Sequence, residues 1–477
     1  MAQNSAGFKQ SLGLLDGTML VAGSMIGSGI FLVSADMSRQ LGSTGWLLAC
    51  WVVTGLMTLM AAVSYGELSG MFPKAGGQYV YLREAYNPML GFLYGWSLFG
   101  VIQTGTIAAV AVAFANYTGY LVPALDNVLF QAGFLKITGS SVLAVGSVIL
   151  LTYINTRGVK EGKIIQTLFT TIKLLSLFGL IFFGLVVAAK GAIWHANWSN
   201  AWTMHHFVAG PGSVNGGSAG SGMWTSLAGL GTLGAISAAM VGSLFSSDAW
   251  NNVTFIAGEI KRPERNIGLS LLLGTLIVTL IYVSANVMYI AVLSLQDIAG
   301  APHDRVAVAV AERIFGGTGG IIIAVMIMIS TFGCNNGLIL SGARVYYTMA
   351  LDGLFFKKAA TLNKNGVPAY ALWIQCLWTC LLCLSGGYNA LLTYVIFVVL
   401  IFYILTLIGI FILRRKRPDA PRPYKAFGYP VLPVLYCLTA VVITVCLFIY
   451  QTAQTWPGAI IVVSGIPIYY LAVRKRT

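Results

Sequence analysis

Charge is what this chain has least of. Only 9% of its 477 residues are Asp, Glu, Lys or Arg, and four are histidine, where a soluble protein carries roughly a quarter charged residues. With 57% hydrophobic residues and a mean hydropathy of +0.81, a water-exposed globular fold is excluded and the chain belongs in a bilayer. The histidines fall in expected outer loops, and no H-E-x-x-H occurs, so no enzyme constellation stands out. Repeated filter elements and charged pore rings, which an ion channel would want, are missing as well. Cysteine is scarce, and all seven lie within apolar runs, which argues against a disulfide framework. Cys376, Cys380 and Cys383, in "IQCLWTCLLCLSG", read as packing residues, since a metal site needs ligands in an accessible polar setting.

What is present is a succession of about twelve apolar runs, each near the roughly 20 residues a spanning helix needs. The first covers residues 14–33, the fifth 164–189, the sixth 223–258, the eighth 321–349 and the last 456–473. More spans follow the first, and no clean cleavage site does, so it is expected to be a retained helix. The longest connection, residues 190–222, is rich in Gly, Ser, Trp and His. It reads as a flexible linker with interfacial aromatics, His205 and His206 included. The net charge of +14 sorts by loop: 22 of the 28 basic residues, among them Lys9, Arg414 to Arg417 and Arg474 to Arg476, fall on one side. By the positive-inside rule that side is cytoplasmic and holds both termini. The basicity therefore reports topology, with anionic lipid headgroups as partners and no nucleic acid.

Two runs are weak where they should be strong. "VAGSMIGSGIFLV" crowds Gly23, Ser24, Gly27, Ser28 and Gly29 into the middle of the first span, although each Gly inside a helix costs about 1 kcal/mol against Ala. "LFSSDAWNNVTFIAGEI" places Ser246, Ser247, Asp248, Asn251 and Asn252 within the sixth. The two breaks are five spans apart, the spacing of an inverted repeat of five plus five helices with a site between the paired breaks. Opened there, a helix frees amides that attract a carboxylate and carbonyls that suit an ammonium, so two facing breaks can grip an amino acid zwitterion. Alternatively, the glycines only let helices pack closely.

Lys173, in "TTIKLLSLF", is the only basic residue in mid-span. At about 2.5–3.5 kcal/mol on insertion scales it must face protein carbonyls or water. It is expected to stand in for a coupling sodium ion, joining the broken first span to the eighth through Ser330, Thr331, Cys334 or Asn335. Asp248 either faces the substrate path or caps the unwound segment while its carbonyl meets the ligand. Phe245 and Trp250 flank the break and either pack or cover a ligand. Glu67 and Glu259 fall at expected cytoplasmic helix ends, where they are solvated or pair at a gate.

"GSMIGSGIF", "MFPKAGGQYVYLREAYNPMLGFLYGW", "FSSDAWNNVTFIAGEIKRPERNI" and "RPYKAFGYPVLP" occur in that order. Together they resemble the amino acid, polyamine and organocation transporter superfamily, and most closely its L-type amino acid transporter branch, over nearly the whole chain. The resemblance implies an all-α membrane protein of about twelve transmembrane helices, a five-plus-five inverted repeat with discontinuous first and sixth helices. Residues 1–413 would form the core, with repeats at about 11–190 and 223–413, and 414–477 a basic linker plus two further helices. It also implies sodium-independent amino acid transport without a cofactor, often by obligatory exchange, against the alternatives of proton-coupled symport or a non-transporting sensor.

Carried over by position, the first break spans Met25, Ile26, Gly27, Ser28 and Gly29, and the second Phe245, Ser246, Asp248, Trp250 and Asn251. Amides of Ser28 and Gly29 would meet the substrate carboxylate, and carbonyls of Met25, Phe245 and Asp248 its amino group. Phe245 would be an outer-gate aromatic, Trp250 and Asn251 would line the site, and Lys173 matches the family's fifth-span lysine. Two features depart from animal members. Asp248 replaces a small residue found in many of them. Residues 116–136 lack the cysteine that links those members to an ancillary glycoprotein, so no such partner is expected and a bacterial inner membrane is the expected setting.

Overall fold

The computed structural model describes residues 10–132, 135–209, 222–385 and 388–473. Lys9 and Arg474 to Arg476, which entered the charge count, lie outside them. The first crossing is two helices, α1 (Leu14–Met25) and α2 (Gly29–Leu41). Ser43, whose hydroxyl accepts from the Trp46 amide, opens α3 (Thr44–Met71), the second crossing. A short α4 (Gln78–Ala85) leads to the third, in which α5 (Pro88–Ser97) and α6 (Gln103–Leu121) are joined by a π turn at Leu98–Ile102. After an antiparallel hairpin of β1 (Val128–Ala132) and β2 (Leu135–Thr138), α7 (Gly139–Arg157) and α8 (Val159–Phe183) complete the first five, and α9 (Gly191–Trp198) follows outside them.

The second half repeats the plan. α10 (Leu230–Ser246) and α11 (Asn252–Phe255) form the broken sixth crossing, and α12 (Pro263–Val292) the seventh. After α13 (Leu295–Ala299), α14 (Val306–Leu351) turns at Gly316, where φ is 69°, before it crosses as the eighth. α15 (Ala369–Ser385), α16 (Tyr388–Lys416), α17 (Val431–Tyr450) and α18 (Thr452–Ile468) are the last four. Among the described residues, nine helical stretches are long and apolar enough to cross a membrane, and α10 and α15 are shorter apolar helices.

The halves interlock in register. The first crossing packs on the sixth, α3 on α12, α6 on α14 and α7 on α15, so four of the first five crossings lie against the one five places later. Small residues let these pairs close in lipid, where no hydrophobic force drives helices together. A Cβ on Gly55 of α3 would run into Thr279 of α12.

Two expectations about the outer connections are corrected. Residues 223–229 do not open the sixth helix: Gly222–Ser226 is a strand, β4, paired antiparallel with β3 (His205–Ala209), and the helix starts at Leu230. The stretch expected to be a flexible linker carries α9 and this hairpin, although residues 210–221 lie outside the described residues. Strand pairing orders the hairpin, and Ser43 Oγ donating to the Ala201 carbonyl at 2.5 Å ties the segment before it to the α2–α3 corner, order that composition does not register.

Glu67 and Glu259 are not in water. Glu259 is buried and accepts from Arg344 Nε at 2.9 Å. Glu67, fully buried near the end of α3, accepts from Arg414 Nε and Nη2 at 2.9 and 2.6 Å and from the Ala426 amide at 2.8 Å, with Arg422 Nε at 3.3 Å. One carboxylate therefore pins the segment between α16 and α17 onto α3. Removing one partner of a buried ion pair leaves the others uncompensated. Because Arg414 is partly exposed, Glu67→Gln is expected to destabilise the protein by about 2–3 kcal/mol, below the buried-pair range. A lowered unfolding temperature in detergent checks this, and an unchanged one contradicts it.

Candidate functional site

α1 stops at Met25 because Gly27, Ser28 and Gly29 follow it and other groups take up its last carbonyls. The Lys173 ammonium, fully buried, donates to the Gly23 carbonyl at 2.6 Å and the Ile26 carbonyl at 2.7 Å. Cys334 Sγ donates to the Ser24 carbonyl at 3.3 Å, and Tyr282 Oη to that of Met25 at 2.9 Å. Each contact satisfies an acceptor that an uninterrupted helix would have used internally. Lys173 thus meets the first span directly, and the eighth reaches the same carbonyl cluster through Cys334. On the other side of the break, the first amides of α2 have no partner one turn back. The Ser28 side chain does not cap them; its Oγ lies 2.9 Å from Tyr388 Oη.

The second break lies opposite. α10 ends at Ser246, whose carbonyl lies 3.0 Å from the same Tyr282 hydroxyl, so the two interruptions share the single proton of one tyrosine. Ala249 has φ 62°, a left-handed conformation unfavourable for a residue with a Cβ, and it turns the chain before α11. Gly29 fits closely against α10: a Cβ there would stand 3.0 Å from the Ser246 Cα. The helix is thus broken, and its small residues also let the two breaks approach.

Asp248 is buried, and its carboxylate accepts from Tyr403 Oη at 2.6 Å, which directs it to α16. Trp250 packs between Tyr65, at 4.7 Å, and Tyr403, at 5.4 Å between ring centroids. Asn251 Nδ2 donates to Gln78 Oε1 at 3.1 Å. Gln78, Gln103, Asp248, Asn251 and Asn252 supply the polar lining of a narrow cavity that Phe402 and Tyr403 share. Phe245 meets the Tyr388 ring edge-on at 6.2 Å. Met25 to Gly29, Phe245 to Asn251 and Lys173 thus come together around the two breaks. Among the described residues no group of three or more His, Cys, Asp or Glu could hold a metal.

Sequence reasoning missed Tyr282, Tyr388, Tyr403, Gln78 and Gln103. Gln103 carried a signal, being polar inside an apolar run, and it follows the π turn of the third crossing directly. The tyrosines carried none, because a spanning helix accepts Tyr as an apolar body.

Comparison with known proteins agrees with this arrangement. Residues 12–473 match the family model described as amino acid permease. The chain is 30% identical over 474 residues to the serine/threonine exchanger SteT of Bacillus subtilis, covering 98% of each chain. It is 29% identical to the mouse large neutral amino acids transporter small subunit 2, covering 98% of this chain and 81% of the relative. With the human Asc-type amino acid transporter 1 it shares 28% identity, over 100% of this chain and 84% of the relative. A bundle whose first and sixth crossings break side by side, and a match that runs from the first helix to the last, together make this chain a member of the amino acid permease family.

Proposed function

We propose that this protein exchanges small neutral amino acids across the cell membrane without sodium, by alternating access, with both termini cytoplasmic. In this reading residues 11–190 and 223–413 are the two repeats of the transporting core and 414–477 an addition to it, and no disulfide-linked ancillary subunit takes part. The observation that carries it is the Lys173 ammonium held by the Gly23 and Ile26 carbonyls, where a sodium-coupled protein would place its ion. The amides of Ser28 and Gly29 hold the substrate carboxylate, and carbonyls at the second break its ammonium. Anionic headgroups meet the basic end of the bundle.

Tyr403 and Phe402 fill the space beside Asp248, and the narrow cavity mixes the polar groups of Gln78, Gln103, Asn251 and Asn252 with Leu98, Ile102, Leu338 and Val399, a lining that favours serine, threonine and residues of similar size over leucine or tryptophan. The exchanger of Bacillus subtilis, whose name specifies serine and threonine, supports this choice. A competition panel of the twenty amino acids against labelled serine in serine-loaded proteoliposomes tests it. Uptake only into loaded vesicles is expected; uptake into empty vesicles driven by a pH gradient would replace exchange with proton symport.

The same panel tests the Asp248 pair. In Tyr403→Phe the carboxylate loses its donor and turns to a cationic side chain instead. Arginine is expected to compete about tenfold better relative to serine, the equivalent of one such hydrogen bond at roughly 1.4 kcal/mol. Arginine competition at the wild-type level would contradict this use of Tyr403.

A further inference from the structure

The two breaks are covered at one end by a residue from outside both. Tyr388 opens α16, and its hydroxyl lies 2.9 Å from Ser28 Oγ, 360 positions earlier. Its ring stands at 81° to Phe245. The cover is thus built from three crossings: the first through Ser28, the sixth through Phe245 and the tenth through Tyr388. α16 packs most along α4, α6, α17 and α18, and the Ser28–Tyr388 pair adds a side-chain link from it to the first break. Ser28 has its hydroxyl free for this purpose, because it does not cap α2 although it stands at the N-cap position.

We propose that Tyr388 is the latch of the substrate site: its hydroxyl joins α16 to the first break, its ring seats on Phe245, and breaking the Ser28 bond is the step that admits amino acid from that end. The proposal rests on the exchange reading for its substrate. A bond between two neutral hydroxyls contributes modestly to a closed state, so its loss shifts the open–closed equilibrium by about two- to tenfold and does not abolish closure. Tyr388 is a positioning residue here, acting through Ser28 and Phe245.

Two variants isolate the bond. Tyr388→Phe keeps the ring on Phe245, and Ser28→Ala keeps the backbone amide. In serine-loaded proteoliposomes each is expected to raise KM for serine about two- to tenfold, and Tyr388→Phe is expected to keep or increase the maximal exchange rate. The double variant should equal either single one, because both remove the same bond. A second readout needs no transport. Cys334, buried against Gly27, should be modified by a charged thiol reagent about two- to tenfold faster in both variants, followed by mass spectrometry of its peptide. Additive effects on KM, or wild-type modification rates at Cys334, would overturn the latch. Wild-type protein that moves no serine would count against the exchange reading instead, and the Cys334 rates would still decide for or against the latch.

Discussion

Gly29→Val is expected to abolish binding and exchange of amino acid while leaving a folded, monodisperse protein. Even the Cβ of alanine would press on Ser246, whose Cα is only 3.0 Å from that position, and the branches of valine would stand over the open amides of α2. Overpacking of this kind costs about 1–3 kcal/mol, which a bundle of this size absorbs by parting α2 from α10. That movement separates the two breaks proposed to hold the zwitterion. Equilibrium binding of labelled serine to detergent-solubilised protein, with size-exclusion chromatography beside it, reads both effects. Gly29→Ala should fall between wild type and Gly29→Val, and Ser246→Gly in that background should restore part of the binding, because it removes the side chain that the new Cβ meets. Normal affinity in Gly29→Val would mean that the breaks do not hold the ligand.

Lys173→Ala is the second large effect, a loss of exchange of at least thirtyfold. The substitution leaves the Gly23 and Ile26 carbonyls with no donor in a site that is fully buried. Each unsatisfied buried acceptor costs about 1–3 kcal/mol, and the cheapest relief is for α1 to move and draw carbonyls and amides out of register. Lys173→Arg should not rescue the protein, since a planar guanidinium does not fit between two carbonyls held by a single ammonium. Exchange in sodium-free and sodium-containing buffer is the measurement. An unchanged rate in the alanine variant, equally indifferent to sodium, would remove Lys173 from the mechanism.

The weakness of the first crossing was legible because glycine and hydroxyl residues in mid-bilayer act on the backbone next to them, and the same holds for the polar cluster around Asp248. Lys173 was legible for a related reason: a lone ammonium in an apolar run has to find acceptors, and the broken helix is where they are free. Glu67 and Glu259 were misread in so far as they were placed among the solvated ends. Their burial depends on Arg414 and Arg344, partners 347 and 85 positions away along the chain. The hairpin of β3 and β4 was misread for the same kind of reason, since a stretch rich in Gly and Ser registers as loose until its strands are seen paired.

From the sequence alone came residence in a bilayer, a multi-pass helical fold and the two places where helix fails, because each is set by composition or by penalties that act within a few residues. Only the tertiary structure decided which groups meet at those failures. Tyr282 joins both breaks, Tyr388 reaches Ser28, and Tyr403 takes the carboxylate of Asp248. A tyrosine in an apolar helix shows its ring in the pattern and hides its hydroxyl, and the partner of that hydroxyl is fixed by how the two repeats fold against each other.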